Sequence, residues 1–205
     1  MLQIAENFKH YGSKLILAGP NEVTNYQEIS RIDSTIPDND IFTCNLINQL
    51  FVDEVRSTGY GNTNRFLMVS PWYALPKNLN YFEKPVDKAE NKMFTEIHDY
   101  LTSDETVLRS LEFFAESDKD WLSSLNPVMS EFGIPCDKET SVKLEFMEKH
   151  VSEIYQLGIP MVVWDDGGDY ALMDNQKAAW DTAWDSDIVA ETMLEAYRKN
   201  SEQWK

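Results

Sequence analysis

Residues 127–133 read P-V-M-S-E-F-G, and residues 158–168 read G-I-P-M-V-V-W-D-D-G-G. Each stretch is a short apolar run that stops on a functional residue, Glu131 in the first and Trp164 in the second. Between them Val142, Phe146, Val151 and Ile154 recur at helical spacing. Gly158 and Pro160 then end the pattern, as a helix terminus requires. A strand, a helix and a second strand in that order predict parallel pairing through a right-handed crossover.

The same alternation extends towards the N-terminus. Five segments read as buried strands: Leu15–Gly19, Arg65–Ser70, Lys92–His98, Pro127–Glu131 and Met161–Asp165. Each is short and rich in aliphatic or aromatic residues, as strands covered on both faces are. Ile47, Phe51 and Val55 mark a helix ahead of Gly59. The last helix is predicted to begin with Ser186 as N-cap and to turn Val189, Met193 and Tyr197 inward. Residues 70–92 hold Pro71, Pro76 and Pro85 and read as a long loop or a loop with a short helix. A doubly wound sheet and a β/α barrel both fit. With no repeat, low-complexity tract or evident linker, residues 1–205 read as a single domain.

Composition narrows the function. A net charge of -17 argues against binding a nucleic-acid backbone or an anionic membrane surface, and a neutral ligand stays compatible. No apolar run is long enough to span a bilayer, and the first residues show no signal-peptide pattern. No Gly-rich phosphate loop follows a strand. Cys44 and Cys136 are too few for a disulfide scaffold and read as buried apolar residues, and three histidines give no zinc spacing. No metal or other cofactor is expected. Asp165, Asp166 and Asp169 do not follow the spacing of a calcium loop, so a structural turn is the expected reading.

Polar groups gather at the C-terminal ends of the predicted strands, where sites of parallel α/β folds sit. Asn21 and Glu22 follow the first strand, Trp72 and Tyr73 the second, and His98 and Tyr100 end the third. Glu131 ends the fourth and Trp164 the fifth. An indole face stacks on the apolar face of a pyranose, and a carboxylate can attack or protonate at its anomeric centre.

These strand ends, taken in order, resemble the second half of a family 5 glycoside hydrolase, the large cellulase family. Asn-Glu after strand four, His-x-Tyr after strand six, Glu-Phe-Gly after strand seven and Trp after strand eight all have counterparts here. The segments I-A-E-N-F-K-H-Y-G-S-K-L-I-L and N-R-F-L-M-V match the text around strands four and five. The resemblance implies a partial (β/α)8 TIM barrel of about five units, equivalent to strands 4–8.

It implies retaining, endo-acting cleavage of a β-1,4-linked glucan, with Glu131 as nucleophile and Glu22 as general acid/base. Asn21 would bind the hydroxyl beside the anomeric carbon, and Tyr100 would hold and aim Glu131. His98 would contact the acid/base region or the substrate. Trp164 would floor the subsite of cleavage, while Trp72 and Tyr73 would line the cleft. The expected partner is a polysaccharide or oligosaccharide, and the expected location is secreted or periplasmic.

Two departures stand out. Val23 follows Glu22 where the family usually has proline, and Ala18-Gly19-Pro20 precedes Asn21, so Pro20 is expected to distort that strand end. The first three units, with an arginine and a pair of histidines, have no counterpart. The first and fifth strands would then be open edges. The expectation is completion by a partner chain or self-association. A catalytically weak sugar-binding remnant is the alternative.

Overall fold

The computed structural model describes residues 2–12, 14–23, 38–101, 106–170, 173–174, 179–180 and 186–201. All five predicted strands form, as β1 (Leu17–Ala18), β2 (Leu67–Val69), β3 (Met93–Tyr100), β4 (Pro127–Gly133) and β5 (Met161–Val163). They make one sheet in the order β1-β2-β3-β4-β5. β1 pairs with β2, β2 with β3 and β4 with β5, each in parallel. The N–H of Thr95 donates to Asn126 O, and that of Leu101 to Gly133 O. The helices are α1 (Leu2–Phe8), α2 (Asp38–Ser57), α3 (Thr106–Glu116), α4 (Lys119–Ser124), α5 (Thr140–Gln156) and α6 (Ser186–Ser201). Two compact units result, residues 1–97 with 122–127, and residues 98–121 with 128–205.

In the first unit α2 lays one stripe on the sheet. Cys44 and Asn48 are fully buried, and Phe51, Val52 and Val55 join Ala5, Leu67, Val69 and Met93 in one core. The 3.6-residue period produces this stripe. Asn48 Nδ2 donates to Ser70 O at 2.7 Å, tying the helix to the end of β2. The outer side of α2 carries an apolar stripe as well as polar residues. Phe42 is 68% exposed, and Leu46 and Leu50 follow it at four-residue steps in the open.

The run into β1 is held by a charge. Arg65 is fully buried, and its guanidinium donates to the carbonyls of Phe8, Tyr11, Gly12 and Leu15 at 2.7–2.9 Å. Its Nε donates to Asn62 Oδ1 at 2.6 Å. Among the described residues, four carbonyl dipoles and an amide, not a carboxylate, receive this cation. Gly61 sits under the same turn, where a Cβ would lie 2.8 Å from the carbonyl oxygens of Lys9 and Tyr11, so no side chain fits. Nearby, Arg56 grips Asp87 in a two-pronged pair at 2.8 and 2.6 Å. Burial would raise the Asp87 carboxyl, but the Arg56 bonds prevail and hold it below its ordinary value.

β1 is shorter than expected. Gly19 N still donates to Met68 O at 2.8 Å, and Pro20, with no N–H, follows. Residues 70–92 carry two short 3-10 helices, Trp72–Ala74 and Pro76–Tyr81.

In the second unit α5 buries Phe146, Met147, His150, Val151 and Ile154, and His150 reaches β4 at Met129 and Phe132. It stops at Gly158, whose φ of 72° closes the helix by donating to Tyr155 O. α6 departs from expectation. Val189, Ala190, Ala196 and Asn200 are buried, whereas Met193 is only half-buried and Tyr197 is 51% exposed. The inward face is therefore rotated, because the small Ala196 allows a closer approach than the Tyr197 ring. Tyr197 instead meets Tyr155 edge-on at 5.3 Å. A two-stranded hairpin, β6 (Met173–Asp174) with β7 (Ala179–Trp180), was not expected. Trp184 lies outside the described residues, as does the side chain of Trp180.

Cys44 is buried, and its thiol is pushed up to about 11, chiefly by desolvation. Cys136 is only half-buried, contrary to expectation, because its Sγ faces Gly168 O at 3.5 Å in an exposed turn.

Candidate active site

Strand alternation puts His98 and Tyr100 on one face of β3. Glu131 reaches both. Tyr100 Oη donates to Glu131 Oε2 at 2.6 Å, and His98 Nδ1 lies 3.4 Å from the same oxygen. His98 is buried at 1% exposure, while Tyr100 and Glu131 are half-buried. The carboxyl group is thus fixed from the neighbouring strand yet remains open to solvent.

A break in β4 aims it. Met129 pairs with Met161 and Phe132 with Val163, so the ladder shifts by one residue between them. Met129 and Phe132 both contact His150 of α5, although they are three positions apart. A regular strand would put them on opposite faces. The bulge returns Phe132 to the helix side and leaves Glu131 free to point towards His98 and Tyr100.

Beyond the strand ends, Trp164 N donates to Phe132 O at 2.8 Å, and the indole-bearing residue is 41% exposed. Tyr170 packs against Tyr100 with ring centroids 4.9 Å apart. Sequence reasoning missed Tyr170. Gly133 makes that contact possible, since a Cβ there would meet Tyr170 at 3.2 Å and Tyr100 at 3.3 Å. The acids of 165–169 serve the backbone of the turn. Asp165 Oδ1 accepts from Gly167 N, and Asp166 Oδ1 accepts from Gly168 N and Tyr170 N.

The other predicted residues belong to the first unit. Asn21 is exposed and Glu22 half-buried, the latter with a φ of 45°. Positive φ is uncommon for a residue with a Cβ and strains the backbone. Val23 O accepts from Tyr73 N at 3.0 Å, which ties the exit of β1 to the exit of β2. Tyr73 and Ala74 also have positive φ, at 57° and 52°. The rings of Trp72 and Tyr73 lie 6.0 Å apart, and both residues are half-buried. Asn78 Nδ2 braces this turn on Trp72 O at 2.7 Å. Asn21, Glu22, Trp72 and Tyr73 therefore share one pair of strand exits, and His98, Tyr100, Glu131 and Trp164 share another set.

Comparison with known proteins gives the family and the fold. The model of the cellulase family, glycosyl hydrolase family 5, matches residues 1–201. A xyloglucan-specific endo-β-1,4-glucanase from Bacteroides ovatus is 34% identical over 114 residues, covering 55% of this chain and 22% of that protein. Endoglucanase 1 of Ruminococcus albus is 27% identical over 201 residues, covering 87% and 48%. The chain spans about half or less of the length of these curated relatives. Among solved structures, a family 5 lichenase from Caldicellulosiruptor sp. F32 is 25% identical with a TM-score of 0.74, covering 95% of this chain and 61% of that one. A Bacteroides ovatus family 5 xyloglucanase in complex with a XXXG heptasaccharide is 19% identical with a TM-score of 0.75, covering 96% and 49%. The partial (β/α)8 barrel of about five units is the fold these likenesses give.

Proposed function

This chain belongs to glycosyl hydrolase family 5, the cellulase family, and on that premise we propose that it carries the chemistry of an endo-acting, retaining hydrolase of β-1,4-linked glucan. The observation that carries the reading is the 2.6 Å bond from Tyr100 to Glu131, with His98 beside it. An incompletely buried carboxylate, oriented by a neighbouring hydroxyl, is built to attack a carbon from a fixed direction.

Glu131 attacks the anomeric carbon, forming a glycosyl ester as the bond to the leaving sugar breaks. Glu22, protonated, gives its proton to the departing oxygen. Glu22 then takes a proton from water, and that water displaces Glu131 and restores the carboxylate. This requires the two carboxyl groups to stand roughly 5–5.5 Å apart, since a gap of ~6.5–9.5 Å would make the enzyme inverting. Asn21 holds the neighbouring hydroxyl, Trp164 stacks on the sugar at the point of cleavage, and Trp72 and Tyr73 extend the platform. Such a polymer lies outside the cell, so we place the protein among secreted or periplasmic enzymes.

Two measurements test the reading. Turnover of carboxymethylcellulose or xyloglucan is expected to fall by on the order of 10⁴-fold in Glu131→Gln. A 2-deoxy-2-fluoro cellobioside with an activated leaving group is expected to leave its mass on the peptide containing Glu131. Label on another carboxylate, or undiminished turnover, would refute the assignment.

The open apolar side of α2 favours a second element of this reading. Phe42, Leu46 and Leu50 form an exposed apolar stripe on α2, and β1 stands at one end of the sheet order. A partner segment or second copy covers that stripe in the active form. Light scattering that gives a strictly monomeric mass together with full turnover would remove this element and leave the catalytic one.

A further inference from the structure

The opposite face of β3 and β4 carries buried groups that the reaction above does not use. Asp99 stands between His98 and Tyr100, so its side chain leaves the other face of β3. There its Oδ2 lies 3.4 Å from His150 Nδ1 of α5. His150 is fully buried and Asp99 is 9% exposed. Neither of these two atoms has a hydrogen-bond partner of good geometry among the described residues. The imidazole lies nearly parallel to the Phe146 ring at 4.8 Å and to the Phe132 ring at 5.4 Å. Its Nε2 meets Met129 Sδ at 3.1 Å. His150 thus touches both ends of the β4 bulge whose middle holds Glu131.

We propose that Asp99 and His150 form a two-residue positioning unit, which shares a proton between Oδ2 and Nδ1, fixes the β4 bulge from behind and thereby sets the aim of Glu131. Its meaning for catalysis rests on the reading of Glu131 as nucleophile; the mechanical link between the two faces does not. Two buried polar atoms facing each other with no better partner need one hydrogen between them.

That hydrogen has two arrangements. With Asp99 ionised, His150 is neutral and donates from Nδ1. When Asp99 takes up a proton it becomes the donor, Nδ1 accepts, and the imidazole proton moves to Nε2, facing Met129 Sδ. His150 stays neutral in both, and one solvent proton accounts for the difference. Burial supports this order. It pushes Asp99 up to about 6, with the Ser110 hydroxyl opposing, and His150 down to about 3. Among the described residues, His150 from α5 and Ser110 from α3 face Asp99. Phe146 of α5 with Met129 and Phe132 of β4 lie against His150, and none of the three titrates.

The test is nuclear magnetic resonance on the full chain, labelled with 13C and 15N, between pH 4.5 and 8. The ring nitrogens of His150 are expected to switch from the Nδ1-protonated to the Nε2-protonated tautomer as pH falls. The Glu131 carboxyl carbon is expected to show a step at the same pH, besides its own titration. Asp99→Asn removes both signatures. His150→Phe keeps the ring stack and loses the step at Glu131, and it decides the matter should Asp99→Asn fail to fold. A single His150 tautomer across the range, or a Glu131 resonance that ignores the switch, would overturn the proposal. Absence of glucan turnover would sink the catalytic reading above and leave these spectra interpretable.

Discussion

The exit of β4 and the exit of β1 each present a glutamate, but they do so by opposite means. Glu131 sits within a strand, bulged into place, held by Tyr100 from the adjacent strand and backed by a helix. Glu22 sits on a turn past a two-residue strand, with its backbone at a φ of 45°. The first carboxylate is positioned by packing. The second is positioned by a strained turn, tied through Val23 to Tyr73 and resting on a segment that Arg65 clamps. Geometry that depends on packing is lost by changing neighbours, and geometry that depends on a clamp is lost by removing the clamp.

The largest expected effect breaks the β1 side. Arg65→Met leaves four carbonyls and Asn62 without their donor, and is expected to cost roughly 3–5 kcal/mol of stability by urea unfolding. Next comes the β4 side. Tyr100→Phe removes the hydroxyl that bonds Glu131, and is expected to lower kcat about 10- to 100-fold, a loss of ~1.5–3 kcal/mol.

A third experiment probes the support behind β4 through pH. Asp99 is raised from 3.8 to about 6, so between these values the folded chain holds a proton that the unfolded chain has released, and stability falls as pH rises. His150 is lowered from 6.5 to about 3, so there the unfolded chain holds the extra proton, and stability rises with pH. The two slopes oppose each other between about pH 4 and 6 and leave a flat contribution from the pair. Asp99→Asn should expose a rising slope and His150→Phe a falling one, each up to roughly 1.4 kcal/mol per pH unit. Equal slopes in the two variants would break the pairing. The smallest effect on stability is that of Glu22→Gly. It relieves the positive φ and is expected to stabilise the fold by ~0.5–1 kcal/mol in urea unfolding, while abolishing any activity that needs the carboxyl.

Much of this contrast was legible in the sequence. Short apolar runs ending at Glu131 and Trp164 located β4 and β5, and helical spacing located α2 and α5. The rest was hidden for physical reasons. A bulge adds no residue type that announces it, so the face on which Glu131 emerges could not be read from alternation alone. Two-residue strands carry no period, which concealed β6 and β7. Arg65 breaks the rule that charges stay outside, because its partners are main-chain carbonyls common to every residue. The Asp-Gly-rich turn at 165–169 was visible, and following it one residue further would have led to Tyr170. On α6, spacing marked Met193 and Tyr197, but steric bulk selected Ala196.

Arg65 has one more consequence. Ionic strength weakens attraction between opposite net charges, as at the Lys9–Glu6 pair on the surface. A buried guanidinium satisfied by carbonyl dipoles offers dissolved salt no counter-ion to compete with. The lead-in to β1 should therefore keep its shape in concentrated brine, where the Lys9–Glu6 pair at the end of α1 has already let go.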